Sequence, residues 1–541
     1  MKFNSISALL LAALVSVSTG CSDDLGNYSY ADINEVTVNG SDSSEFPELI
    51  SGQTYDLVAH VDYLRFSPKL QSTLGVSEDN YEFEWRVMPT GGSNDNISEE
   101  SKVVCTTRVI DQIVGLAAGK YSCFFNVKDK TTGVTWSTPF YLTVRSITSE
   151  GWLVLCDVDN WPRIDVVFNK SATEDIIARD ILSGQSFDPG KPRSIMYTYH
   201  NSHGAATILV TDKDTYLVDN NDMHVGEDNR MAWLFGVTPD NLVIKTTKKS
   251  QYAEKNAWIL IDDKDDIYTL DISTSGSFFE YPINKIEGTV PFTPAPFIGV
   301  NVNNSSWKYQ MNGGNTCVLY DQTHRQFLML TGSSVYPKVM NFQANTYFEN
   351  PTGRDMLWME GTHSGIIKSV LRDPQTNDVY WYGIALRTKE IPGNPWWMPS
   401  TYVPYQTQEG YSKITGPGIE RADKYAFADL NPYLFYLVDN KIYQLNLSEP
   451  NQPAKEVLSF PGETIVEMKF VPLIAWRAYT DWERAREYQL VVATNVDGKA
   501  DNECGIVRHY EVPNLMGPLT LDKKIDGFGK ILEVVYKEVK L

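Results

Sequence analysis

At 541 residues the chain exceeds the roughly 250 to 300 at which a single core stops growing, so two domains, or one domain and a repeat array, are expected. A composition 42% hydrophobic and 21% charged excludes a disordered chain, and 47 basic against 68 acidic residues, net charge −21, exclude counterion-release binding to nucleic acid or anionic lipid as the main activity. The 30 Tyr, 22 Phe and 13 Trp favour strands and flat ligand platforms.

Residues 1–20 read as a signal peptide: Lys2 supplies the positive end, Ile6 to Val17 form the apolar run, and Ser18-Thr19-Gly20 lead with small residues into Cys21. The apolar run is too short to span a bilayer. The sequence around Cys21 resembles a bacterial lipobox, which makes Cys21 the expected lipidation site and residues 21–31 a tether. Ser22-Asp23-Asp24 resembles the acidic signal that sends lipoproteins of Bacteroidetes to the outer face of the outer membrane. The remaining cysteines, Cys105, Cys123, Cys156, Cys317 and Cys504, are scattered, with no zinc spacing. A Cys105–Cys123 bridge and single buried thiols are both compatible with that pattern.

Residues 32–148 carry strand-like runs at Glu35–Val38, Thr54–Val61, Tyr81–Val87, Ser101–Ile110, Lys120–Val127 and Thr135–Val144, with no convincing helix. They predict an immunoglobulin-like β-sandwich with Trp85 as its buried tryptophan and Gly119-Lys-Tyr121 as a tyrosine corner, without the inter-sheet disulfide. From 149 to 541 an apolar strand, an Asp/Asn-rich turn and a second strand recur seven times, beginning at Trp152, Thr207, Trp258, Cys317, Ile366, Tyr425 and Leu490. At about 56 residues per copy this predicts a β-propeller, most economically seven-bladed, because a blade cannot bury its faces alone. The fold class is therefore all-β. A short helix is expected within Ala475–Tyr488, and the closing run 529–539 is expected to pair with the strand begun near Trp152.

The segments Gly26-Asn27-Tyr28-Ser-Tyr30-Ala-Asp-Ile33-Asn34-Glu35-Val36, Ser149-Glu-Gly-Trp152-Leu-Val-Leu155 and Asp526-Gly-Phe-Gly-Lys530-Ile531 resemble the PKD-like surface lipoproteins of Bacteroidetes. The resemblance implies nutrient capture at the outer membrane beside a SusC/SusD-type importer, with the lipid as the sole membrane attachment. It implies no reaction.

Catalytic signatures are missing from the sequence: there is no G-x-S-x-G, no H-E-x-x-H, no G-x-G-x-x-G and no phosphate loop. His200-Asn-Ser-His203 lacks a third ligand, and the acidic turn Asp262–Asp266 matches no calcium loop, so both read as solvated loops and neither a metal nor a cofactor is assigned. The most informative local feature is the proline-framed run 391–411, read as a long ordered loop. In it Trp396 and Trp397 form a stacking platform, and Tyr402 and Tyr405 add ring surface and hydroxyls. Trp161 and Trp307 are weaker candidates of the same kind. For each of these tryptophans, inward packing is the competing reading.

These observations predict a non-enzymatic accessory subunit that binds glycan or peptide. A propeller hydrolase or lyase acting through carboxylates, and a purely structural importer subunit, are the alternatives.

Overall fold

The computed structural model describes residues 34–538 except 76, 91–100, 186, 201–202, 221–222, 251–256, 303–314, 332–334, 343–346, 394–400 and 476–478. The chain divides into two compact units between Val144 and Arg145.

The first unit is antiparallel β throughout. Its main sheet has the order Thr54–Val58, Thr135–Arg145, Gly119–Asp129, Tyr81–Pro89, Lys102–Cys105. Two further pairs, Val36–Ser41 with Pro68–Ser72 and Tyr63–Phe66 with Ile110–Ile113, add to it. Alternation does the sorting: along Gly119–Asp129 the residues Tyr121, Cys123, Phe125, Val127 and Asp129 are buried while their neighbours are not. Trp85 is 1% exposed and packs among Phe66, Phe125 and Phe140 at ring separations of 5.8, 4.4 and 6.0 Å, joining the main sheet to the Tyr63–Phe66 strand. Its Nε1–H donates to the Thr107 carbonyl at 2.9 Å. The Tyr121 hydroxyl donates to the Ala117 carbonyl at 2.8 Å, which is the predicted corner. Cys105 and Cys123 are unpaired thiols, and burial pushes Cys123 up to about 12. The predicted run Ser101–Ile110 is two strands rather than one, because the turn at 106–109 sends its halves to different sheets.

The second unit is a series of antiparallel meanders. Seven of three or four strands occur among the described residues. The first comprises Gly151–Val158, Trp161–Asn169 and Asp175–Ala178 together with the C-terminal Lys530–Lys537, which lies antiparallel to Gly151–Asp157 as expected. The second begins at Pro192–His200, the third at Ile244–Lys249, the fifth at Asp355–Gly361, the sixth at Lys424–Phe427 and the seventh at Glu463–Lys469. The fourth contains Asn315–Asp321 and Gln326–Thr331, with Gly299 bridged to Val318.

In the second, third, fifth and seventh copies the apolar run read from the sequence falls on the second strand of the meander, and in the first, fourth and sixth it falls on the first strand in chain order. The reason is two-sided burial: Ala257–Asp262 is buried at every position, so it shows no alternation and stands out as an unbroken apolar stretch. The helix lies at Asp481–Ala485, fixed by a capping box in which Thr480 and Glu483 satisfy each other's backbone N–H.

One expectation is corrected. Thr401–Ile414 is a fourteen-residue strand paired with Val379–Ile391, so the segment 401–411 is not loop. Pro404, opposite Thr388, is tolerated because the strand lies at the edge of its sheet, where one row of N–H groups needs no ladder partner.

Candidate functional site

The first strands of the meanders share one feature that their sequences do not advertise. Residues from six of the meanders, and from the 296–302 segment bridged to the fourth, line a single cavity of about 390 Å³. Ile195–Thr198 of the second, Lys245 to Lys249 of the third, Trp358–Thr362 of the fifth, Lys424 and Phe427 of the sixth, Glu467–Phe470 of the seventh and Glu533–Tyr536 of the first contribute, with the 296–302 segment leading into the fourth. The fit between neighbours is close: a Cβ on Gly361 would lie 2.0 Å from the Val300 carbonyl oxygen, so only glycine lets these two backbones approach.

The lining mixes apolar rings with charge. Phe297, Trp358, Phe427 and Phe470 stand beside six acids and five lysines, in a chain whose overall excess is acidic. Charges withdrawn from bulk water are costly unless paired or hydrogen-bonded, and each of the acids is one or the other. The Glu467 carboxylate, 2% exposed, lies 2.9 Å from Lys469 Nζ and 3.3 Å from Lys424 Nζ, and accepts from Met468 N–H at 2.9 Å. Burial would raise its pKa, but the two lysines outweigh that and hold it below the ordinary carboxylate value.

Glu533 accepts from Ile195 N–H at 3.0 Å and lies 3.6 Å from Lys469; desolvation raises its pKa against the pull of that lysine. Glu360 accepts from Phe427 N–H at 2.8 Å and from Trp358 Nε1–H at 3.1 Å, yet desolvation dominates and pushes it up to about 7. Asp429 accepts from the backbone N–H groups of His363 and, at 3.2 Å, Ser364. Glu487 accepts from Leu473 N–H at 2.7 Å and lies 3.1 Å from His363 Nδ1, a contact that raises the imidazole's pKa. Glu538 accepts from Ile474 and Ala475 N–H at 2.8 and 2.9 Å. Every lining carboxylate thus takes hydrogen bonds from the fold itself.

Most of the lysines are engaged as well. Lys245 lies 2.6 Å from Asp265, and Lys249 donates to the Gly204 carbonyl at 3.0 Å while resting over the Trp258 ring. The exposed Lys248 side chain forms no hydrogen bond or ion pair among the described residues. Desolvation and the nearby Lys469 ammonium lower its pKa, against Glu533 and Glu360, so groups of three other meanders reach it.

A second cleft, of about 410 Å³, is lined by Leu270, Phe278, Tyr281 and Leu330, and its charged groups are Asp271 and Glu280 alone. The acidic turn at Asp262 is closed by its own backbone, Asp262 Oδ1 accepting from Lys264 and Asp266 N–H at 3.0 and 2.8 Å, as the turn reading expects.

The aromatic candidates from the sequence are not brought to the cavity. Trp161 is half-buried at a tight turn, opposite Val158, and Tyr405 is half-buried opposite Arg387; neither lines it. Tyr402 stands opposite Glu390 in the edge strand. Cys21, Trp307, Trp396 and Trp397 lie outside the described residues. What sequence reasoning missed are Lys248, Glu360, Lys424, Glu467, Lys469 and Glu533. A signal existed: Lys245-Thr-Thr-Lys248-Lys249 and Glu467-Met468-Lys469 place charges on the strands that precede apolar runs.

Residues 21–190 match the PKD-like family, a stretch that covers the first unit and continues into the first meander of the second. No curated protein matches the chain. Among solved structures, a quinonprotein alcohol dehydrogenase-like protein from Bacteroides thetaiotaomicron aligns over 94% of this chain and 100% of its own at 10% identity and a TM-score of 0.37. Apo AztD from Citrobacter koseri aligns over 85% of this chain and 100% of its own at 8% identity and a TM-score of 0.32.

Proposed function

We propose that this chain is a non-enzymatic surface lipoprotein of a bacterial outer membrane, anchored through Cys21, that captures a glycan or peptide fragment for a SusC/SusD-type importer. In this reading the second unit is a seven-bladed propeller and its central cavity is the binding site. The convergence of six meanders and the 296–302 segment on one metabolite-sized cavity carries the reading, since ligand sites are concave, few, and lined by apolar surface with a small number of placed polar groups. The bonding of the lining supports binding over catalysis, because each carboxylate is already held by donors of the fold. Trp396, Trp397, Tyr402 and Tyr405 of the proline-framed run 391–411 remain candidates for a contact with the ligand or the importer, and Trp161 and Trp307 for lesser ones.

A hydrolase or lyase is the second reading, and Glu360 favours it: a carboxyl shifted to about 7 suits a general acid. One assay separates the two. Protein starting at residue 21, with Cys21→Ala, is presented with glycan and peptide libraries and followed for both binding and cleavage. Saturable binding without turnover is expected; turnover lost in Glu360→Gln would establish the enzyme instead. In cells, Cys21→Ala is expected to release the protein from the membrane fraction, and unchanged retention would refute the anchor.

A further inference from the structure

We propose that the cavity ligand carries a carboxylate, held by the ammonium of Lys248, with its body against the rings of Phe297 and Trp358. The inference rests on the cavity being the binding site and adds the chemistry of what enters it.

The six lining acids accept from lysines, backbone N–H groups or the Trp358 indole, so a cationic ligand would find no carboxylate without a donor of the protein's own. Lys424 and Lys469 share Glu467, Lys245 has Asp265, and Lys249 is turned to backbone carbonyls. Lys248 is the lining cation without such a partner among the described residues, and it comes from the third meander towards Glu533, Glu360 and Lys469 of the first, fifth and seventh. Lys248 is open to the solvent of the cavity and has no counter-charge in contact with it, so an incoming anion can pair with its ammonium without first breaking a contact of the protein's own. Lysine acts as a point charge, which suits a single carboxylate on a ligand oriented by other contacts. Those contacts are at hand: Phe297 and Trp358 stand at 5.5 Å in the same lining and offer flat apolar surface to a sugar face or a side chain. A cavity of about 390 Å³ admits one sugar residue or one or two amino acids.

A carboxylate is common to two sources, an acidic sugar and the C-terminus of a peptide, and the test distinguishes them. Titration calorimetry on the protein starting at residue 21 compares glucuronate with glucose, and N-acetyl-phenylalanine with its amide. At least one acid is expected to bind about tenfold or more tighter than its neutral counterpart. The pair that shows the difference identifies the source. Lys248→Met should bring that ratio to about one, Lys248→Arg should keep most of it, and Lys441→Met, in an exposed pair with Glu456, should leave it unchanged.

Neutral compounds binding as tightly as the acids would overturn this inference while leaving the cavity as a binding site. So would a preference that survives in Lys248→Met. No binding of any of the four at millimolar concentration would overturn both this inference and the cavity as the site. The wild-type comparison decides even if Lys248→Met fails to fold.

Discussion

The interior of the first unit and the cavity wall of the second are built from the same kind of strand and handle burial in opposite ways. Around Trp85 the buried groups are Phe66, Phe125 and Phe140, and the indole N–H is the polar atom, matched to one carbonyl. Around the cavity, Glu467 and Glu487 are buried as deeply as those rings and are kept there by lysines and backbone N–H groups. Apolar packing stabilises most per residue, and buried ion pairs repay their desolvation only with good geometry. Under the function proposed above, the charge kept in the cavity wall serves recognition of a polar ligand.

The contrast can be broken first at the sandwich. Trp85→Ala removes a fully enclosed ring and is expected to cost about 4 kcal/mol. In calorimetry the transition of the first unit should fall or vanish while that of the second stays in place. A shift of both transitions would mean that the two interiors are not independent.

Glu467→Gln tests the opposite strategy and should cost about 3 kcal/mol, because Lys424 and Lys469 lose the charge that offsets their own desolvation. The effect carries a pH signature. Glu467 has a folded pKa below its ordinary 4.5, so its stabilisation is complete above that value and is lost as pH falls through the lower folded one. The second transition of the wild type should therefore drop on acidification, while the variant starts lower and changes less. Equal acid sensitivity of the two proteins would place the stabilising charge elsewhere.

The smallest expected effect sharpens the picture of the first unit. Tyr121→Phe removes one hydrogen bond, to Ala117, from an otherwise apolar interior and should cost about 1 kcal/mol, a shift of about 4 °C in that transition. A shift several times larger would show the corner to organise the sheet rather than to decorate it.

Much of this architecture is legible in local sequence patterns. Period-two alternation marks Tyr81–Pro89 and Gly119–Asp129, and the turn chemistry of Asp159-Asn160, both at positive φ, marks the hairpin to Trp161. The twin strands Tyr63–Phe66 and Pro68–Ser72 escape because they are short and only partly apolar, so that no local signal separates them from a loop. The edge strand at Thr401–Ile414 escapes because its proline forbids a central position and says nothing against an outer one. The cavity is the least legible feature, since strands such as Ile244–Lys249 and Glu463–Lys469 bring to it charged residues that, taken alone, look like solvated surface.

Lys248 and Lys249 show where the division falls. They are neighbours of one type, and the sequence by itself determined that, on a strand, they point to opposite faces. It also determined which strands would be buried on both sides, because unbroken apolar runs have no solvent face to offer. Only the tertiary structure decided that one lysine lies over Trp258 with a backbone carbonyl for a partner while the other enters a space shared with Glu360, Lys469 and Glu533. The residues that meet Lys248 there stand more than a hundred positions from it, and no local propensity encodes which charges will meet once the meanders have packed; the long-range packing brings them together and sets the polarity of the site.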